Sequence, residues 1–203
     1  MQDIRICSLK EVSQIFHRPL AQVQILDRAR VLGQAYSNGA GSRYYLDENI
    51  HRIAQAPRYN KTTLSAAIQS ASFPSDIAVI LRQIAPQPAD DGVRQWFGFD
   101  LSAEESEDPQ IRQQQDDASR MWWPISSTNL ARVRDLKPGE FIPMFVTVGG
   151  MIVAGRNITG IDEELTAQQD NLVAFTVEDA GSWFDQFRFN WLSSGPGKAI
   201  LWW

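Results

Sequence analysis

The sequence predicts an α+β protein, and three observations carry the prediction. Two short helical patterns open the chain, a glycine-tipped hairpin pattern follows them, and from Met121 onward alternating or apolar segments lie between turn signals, as strands do. Helices at one end and strands at the other define the α+β class, with the strands expected to close into a small barrel or a sandwich. The expected organisation is a helical module over residues 1–58, a linker or connecting helix over 59–72, and a β-rich domain over 73–203.

Ser8 and Glu11 form a Ser-x-x-Glu capping box, in which each side chain satisfies a backbone donor left open at a helix start. Leu9, Val12 and Phe16, with Ile15 beside them, share one helical face, and this helix stops near residues 17–18. Pro19 suits the first turn of a second helix, where its missing N–H costs nothing. Val23, Leu26 and Arg30 share one side of that helix, Ile25, Ala29 and Leu32 widen its apolar surface, and Gly33 is a natural stop. Residues 34–37 and 42–46 read as short strands joined through Asn38-Gly-Ala-Gly41, because Asn and Gly both accept positive φ. Asp47 is placed to cap a third helix over 48–55, with Ile50, Ile53 and Ala54 inward, and Pro57 closes the module. Helix, tight turn, helix and glycine-tipped hairpin is the pattern of a winged helix-turn-helix.

Residues 58–72 are small and polar, although Leu64, Ala67, Ile68 and Ala71 have helical spacing. Ile77-Ala-Val-Ile-Leu81 reads equally as helix or strand, and Trp96-Phe-Gly-Phe99 reads as extended. Residues 102–119 are acidic and glutamine-rich, with Ile111 their one large apolar side chain, so they read as a mobile loop or a solvent-facing helix. A short helix fits 129–136, and Lys137-Pro-Gly-Glu140 is a turn. Strands are expected over 141–148, 151–161 and 172–178, the first two joined by Gly149-Gly150. Trp183, Asp185, Phe187, Phe189 and Trp191 alternate with mostly polar residues, which predicts a strand with an aromatic face, and 199–203 form a last strand.

At 203 residues, 43% hydrophobic and 21% charged, the chain has an ordinary globular balance. No apolar run reaches the about 18 residues of a membrane span, and the first residues lack the apolar core of a signal peptide. A cytoplasmic protein of bacterial type is expected. Cys7 stands alone, so no internal disulfide forms, and with only His17 and His51 beside it a zinc site is not expected. Through Lys61 there are nine basic and five acidic residues, a net +4, and the remainder is −9 within the overall −5. A basic module on an acidic partner suggests that the basic part touches a polyanion.

Two stretches, Leu9-Lys-Glu-Val-Ser-Gln-Ile-Phe16 and Ser42-Arg-Tyr-Tyr-Leu-Asp-Glu-Asn-Ile-His-Arg-Ile53, resemble the winged helix-turn-helix of the MerR and excisionase-like DNA-binding proteins, and the resemblance covers residues 4–55. In that family the second helix enters the major groove and the wing arginine contacts the DNA backbone. The resemblance therefore implies that Gln22, Gln24 and Arg28, with Arg18 near the helix start, face DNA, and that Arg43 and Tyr44 serve the wing. One of Tyr44 and Tyr45 is expected to pack inward. Arginine and glutamine offer forked donors suited to base edges and phosphates. Pro57 and a polar segment stand where MerR regulators carry a long dimerising helix, so a homodimer would lack that coiled coil. A winged helix also serves as a protein-contact module.

Trp123-Pro-Ile-Ser126, Asn129-Leu-Ala-Arg-Val-Arg-Asp-Leu136, Lys137-Pro-Gly-Glu140 and Gly150-Met-Ile-Val-Ala-Gly155 resemble the order of elements in PUA-like barrels. That likeness implies recognition of a modified base or RNA, with Trp122 or Trp123 lining a pocket where a base stacks. The same tryptophans equally build a core. No histidine follows His51, which removes an imidazole for Ser-His or Cys-His chemistry, so no enzyme activity is expected. The acidic clusters Glu104-Glu105, Asp116-Asp117, Asp162-Glu163-Glu164 and Glu178-Asp179 read as solvated surface, and neither a metal nor a cofactor is expected. The expectation is a regulatory DNA-binding protein whose β-rich domain recognises a ligand or partner. The alternative makes the β-domain a binder of a small ligand, modified nucleotide or RNA, with the helical module as a protein contact.

Overall fold

The capping box closes as its spacing predicts. In the computed structural model the Ser8 hydroxyl accepts the Glu11 N–H at 3.4 Å and the Glu11 carboxylate accepts the Ser8 N–H at 2.8 Å. Residues 5–37, 39, 41–71, 73, 75–195 and 197–203 are described. Asn38 and Ala40 of the expected hairpin tip lie outside them. A strand β1 (Ile6–Ser8) leads into α1 (Leu9–Phe16), and α2 (Leu20–Arg28) follows a three-residue turn.

Both helices end in the same way. His17 (φ 52°) and Arg30 (φ 61°) adopt the left-handed conformation. Around them Arg18 N–H reaches Ser13 O (3.1 Å) and Val31 N–H reaches Leu26 O (2.9 Å), the Schellman arrangement that glycine usually permits. So α2 stops at Arg28 rather than at Gly33, because Arg30 takes the role assigned to the glycine.

The strands β2 (Tyr36–Ser37) and β3 (Arg43–Leu46) complete a three-stranded antiparallel sheet in the order β1-β3-β2, and α3 (Asp47–Ala54) follows directly. Asp47 does not cap α3. Its carboxylate accepts the Cys7 thiol at 2.9 Å instead, tying β1 to the helix. Tyr45 is the inward tyrosine, at 1% exposure.

The second sheet is built from both halves of the sequence. Its strands are β4 (Arg58–Tyr59), β5 (Val79–Gln83), β8 (Ile142–Val148), β9 (Met151–Ile161), β10 (Phe175–Asp179), β11 (Trp191–Leu192) and β12 (Ile200–Trp202). Their order is β12-β5-β8-β9-β11-β4, with β10 on β9, and the sheet curls into a half-barrel. The segment 59–72 supplies part of β4, which pairs in parallel with β11, and the helix α4 (Lys61–Ser70). Strands β5 and β8 are also parallel. The crossover between them holds a hairpin, β6 (Gln87–Pro88) and β7 (Trp96–Phe97), and the helices α5 (Leu101–Glu104), α6 (Pro109–Arg120) and α7 (Ser127–Arg134). A last short helix, α8 (Glu163–Thr166), precedes β10. The architecture is α+β.

Both faces of this sheet are covered, which explains the ambiguous run at 77–81. Val79, Leu81, Met144, Val146 and Val148 point into one core, shared with Phe16, Val23 and Leu26 of the helical module. Ile80, Phe145 and Ile152 point into the other, with Leu64 and Ile68 of α4, Phe184 and Phe187. A strand buried on both faces loses the polar alternation that marks a half-exposed one.

Three further expectations are corrected. The aromatic stretch from Trp183 is not a strand. Gly181–Phe184 is a 3-10 turn, and Phe187 N–H bonds Phe184 O at 2.8 Å, so Trp183, Phe184 and Phe187 converge by helical spacing. The segment 102–119 folds as α5 and α6, and α6 inverts the polarity rule. Its Gln115 is fully buried while Ile111 is 38% exposed. Burial of the amide is tolerated because its oxygen accepts Asp100 N–H (2.8 Å) and its nitrogen donates to Gly98 O (3.3 Å) and Ser119 Oγ (3.0 Å). Finally, several acidic clusters are pairing surfaces. Glu104 and Asp116 grip the nearly buried Arg156 at 2.7–2.8 Å, and Asp117 and Asp162 both hold Arg120. Burial opposes the Arg156 charge, but the two carboxylates outweigh it and raise its pKa.

Gly155 lies against this aromatic cluster. A Cβ there would sit 2.5 Å from the Phe184 ring, whereas at Gly160 the nearest atom is the Thr176 Cβ at 4.0 Å. We expect Gly155→Ala to lower unfolding free energy by about 1–3 kcal/mol. Gly160→Ala should stay within about 0.5 kcal/mol of the parent or gain slightly, measured by urea denaturation.

Candidate functional site

Trp191 joins the helical module to the sheet. It is 1% exposed, its indole N–H donates to Ile53 O at 2.9 Å, and its ring meets Phe16 edge-on at 5.3 Å. The Arg18 guanidinium stands over the same ring at 4.8 Å, with Arg58 at 5.6 Å. Arg18 also bonds the Gln22 amide oxygen at 3.3 Å, and its pKa is lowered by burial and then by Arg58. The β8–β9 turn packs here too, with the Cβ position of Gly149 3.0 Å from Leu26 and 3.3 Å from Gln22 O. Both glycines of that turn have positive φ, as a tight hairpin requires. Arg18 and Gln22 therefore belong to the junction.

The opposite side of α2 is open. Ala21 and Arg28 are exposed and Gln24 is half-buried. Beside them Asp27, only 8% exposed, accepts Arg43 Nη1 at 2.9 Å and also the Tyr45 hydroxyl. Burial and then the Asp27 contact raise the tyrosine pKa, while the Asp27 hydrogen bond raises that of Arg43. A buried carboxylate thus fixes the start of β3 to α2, yet the Arg43 side chain remains 52% exposed. A guanidinium carries five donors, so a half-exposed Arg43 retains capacity for an external anion. Tyr44 points to the other face of the small sheet, across from Tyr36 and Ser8.

The module meets the crossover at α5. Leu101 N–H bonds Ala29 O at 3.0 Å, and Arg30 Nε lies 3.6 Å from Asp100. A cleft of about 540 Å³ opens there, lined by Arg30, the β6–β7 hairpin with Trp96, and α5–α6 with Ile111 and Gln114. A second cleft of about 530 Å³ shares Arg30 and Ser102 and reaches Asp27 and Arg43.

Trp122 and Trp123 line neither cleft. Trp123 is a core residue whose indole donates to Ser119 O at 2.8 Å, with its backbone bridged to Val173. Among the described residues there is no group of His, Cys, Asp and Glu arranged to hold a metal ion, and no helix is long and apolar enough to cross a membrane. The sequence reading missed Trp191, Asp27, Arg30 and Trp96. For Asp27 a signal existed, an acidic residue among apolar positions of α2 with Arg43 and Tyr45 nearby in the hairpin. For Trp96 and Arg30 none did, since distant segments bring them together.

Replacing Trp191 by Ala should cost about 3–5 kcal/mol. Hydrogen exchange should accelerate in α1 and α3 as well as around β11, and acceleration confined to β11 would remove the junction role. Burial and then Asp47 push the Cys7 thiol up from the ordinary 9.0 to about 12. Its contribution to stability is complete below the ordinary thiol pKa and declines as pH climbs from there toward the folded value. Iodoacetamide at pH 8 should accordingly label native Cys7 at least about tenfold more slowly than the urea-unfolded chain, as followed by mass spectrometry.

No known protein family matches this chain, and neither a curated protein nor a solved structure matches it.

Proposed function

We propose that the chain is a DNA-binding protein of regulatory type. Its residues 5–55 act as a winged helix-turn-helix, and its β-rich part serves as a ligand- or partner-recognition domain. The observation that carries this reading is the outer face of α2, where the half-buried Gln24 and the exposed Arg28 stand beside an Arg43 that Asp27 holds in place. Forked donors fixed on a helix and an adjoining hairpin suit a base edge and a phosphate. The contact set narrows to Gln24, Arg28 and Arg43, with Tyr44 next to Arg43 on β3. Arg18 and Gln22 instead support the helix from behind, through Trp191 and the Gly149–Gly150 turn. After Pro57 the chain enters β4 of the sheet, so dimerisation through a helix continuing from the module is not part of the reading.

Fluorescence anisotropy with a pool of random duplex DNA at low salt tests it. Binding should weaken linearly on a log–log salt plot. Arg28→Ala and Arg43→Ala should each reduce the slope by about 0.9, one phosphate contact, and weaken binding several-fold. Circular dichroism should show both variants folded. No binding at low salt, or binding indifferent to both substitutions together, would sink the proposal.

A further inference from the structure

The cleft at Arg30 and Trp96 has a chemical character of its own. Trp96, Pro86 and Ile111 supply apolar walls, and Ile111 is one of the few large apolar side chains left exposed in the molecule. The cleft's polar lining sets the Arg30 guanidinium and the amides of Gln95 and Gln114 beside Asp100, Ser102 and Ser106. The Trp96 indole N–H is shut off from solvent, so Trp96 offers the cleft its apolar ring rather than a donor. The side-chain amides of Gln95 and Gln114 make no hydrogen bond to the described residues, in contrast to Gln87, whose amide donates to Pro86 O at 2.9 Å. Arg30 touches Asp100 only loosely, at 3.6 Å, and one oxygen of that carboxylate already accepts the Ser102 N–H at 2.9 Å.

We infer that this cleft binds a small planar aromatic acid. The indole and proline walls favour a flat ring by stacking. The Arg30 guanidinium and the amide N–H groups of Gln95 and Gln114 supply the donors that a carboxylate satisfies. A volume of about 540 Å³ is the size of a small-molecule site rather than a channel. Arg30 anchors the acid from the end of α2, where its own N–H is fixed to Asp27 O at 2.9 Å. This deepens the ligand-recognition half of the proposed function and is independent of its DNA half.

Isothermal titration of the full chain with 2-naphthoate, in the absence of DNA, tests the site. Saturable one-to-one binding is expected. It should weaken at least about tenfold in Arg30→Asn, which tolerates the left-handed backbone and removes the charge. It should be lost in Ser102→Trp, which fills the cleft from an exposed position. Cyclohexanecarboxylate and 2-naphthalenemethanol should each bind at least about tenfold more weakly, reporting on the ring and on the acid respectively. Absence of saturable binding to the folded chain at millimolar probe, affinity unchanged in both variants, or equal affinity for the neutral alcohol would overturn the inference. Any of these outcomes would leave the anisotropy result standing.

Discussion

One indole ring gathers contacts from both the helical module and the sheet. Trp191 sits on β11, receives the edge of Phe16 from α1, donates to the end of α3, and lies under two arginines. A tryptophan suits this position because it contributes a large apolar surface and one directional donor at once. The neighbouring backbone reinforces it. Trp191 N–H bonds Pro57 O and Ser193 N–H bonds Tyr59 O, both at 2.8 Å, so the chain leaving the module becomes an edge strand of the sheet. The core accordingly runs unbroken from Val12 to Val148.

This junction divides α2 into two faces with different work. Leu26 and Gln22 meet the β8–β9 turn, and Arg18 is drawn over the tryptophan. Gln24 and Arg28 stay on the side away from the sheet. The basic character that the first 61 residues show as a group is therefore unevenly available. Arg18 is partly spent on packing, and Arg43 shares its charge with a buried Asp27. The surface proposed to meet DNA is small, and it is rigidly backed.

The local features of the fold were legible in the sequence because local physics determines them. Ser8 and Glu11 announced a helix start, Gly149-Gly150 announced a tight hairpin, and β9 spans the residues expected of it. Reading failed where distant partners override local pattern. The aromatic alternation from Trp183 suggested a strand, but the rings answer to Phe145 and Phe73 across the fold and converge through a 3-10 turn. Gln115 looked solvent-facing because nothing local distinguishes it from Gln113 and Gln114 beside it, although its amide has three partners inside. The candidate site divides in the same way. That Arg28 lies on α2 and Arg43 on the hairpin strand was readable from local pattern, whereas the Arg30–Trp96 cleft exists only because the crossover between two parallel strands folds back onto α2.

The pairing of β4 with β11 also bears on how the chain is made. The residues that cover Phe16 and Ile53 lie more than a hundred positions further along, so ring and cover leave the ribosome at widely separated times. During synthesis the module must hold itself together with its own contacts, among them the Cys7–Asp47 and Asp27–Arg43 links. Its apolar underside meanwhile waits for a partner not yet translated. Closure of the molecule is then a late event of high sequence separation, and those two polar links are local staples that keep the early-made piece in shape until it comes.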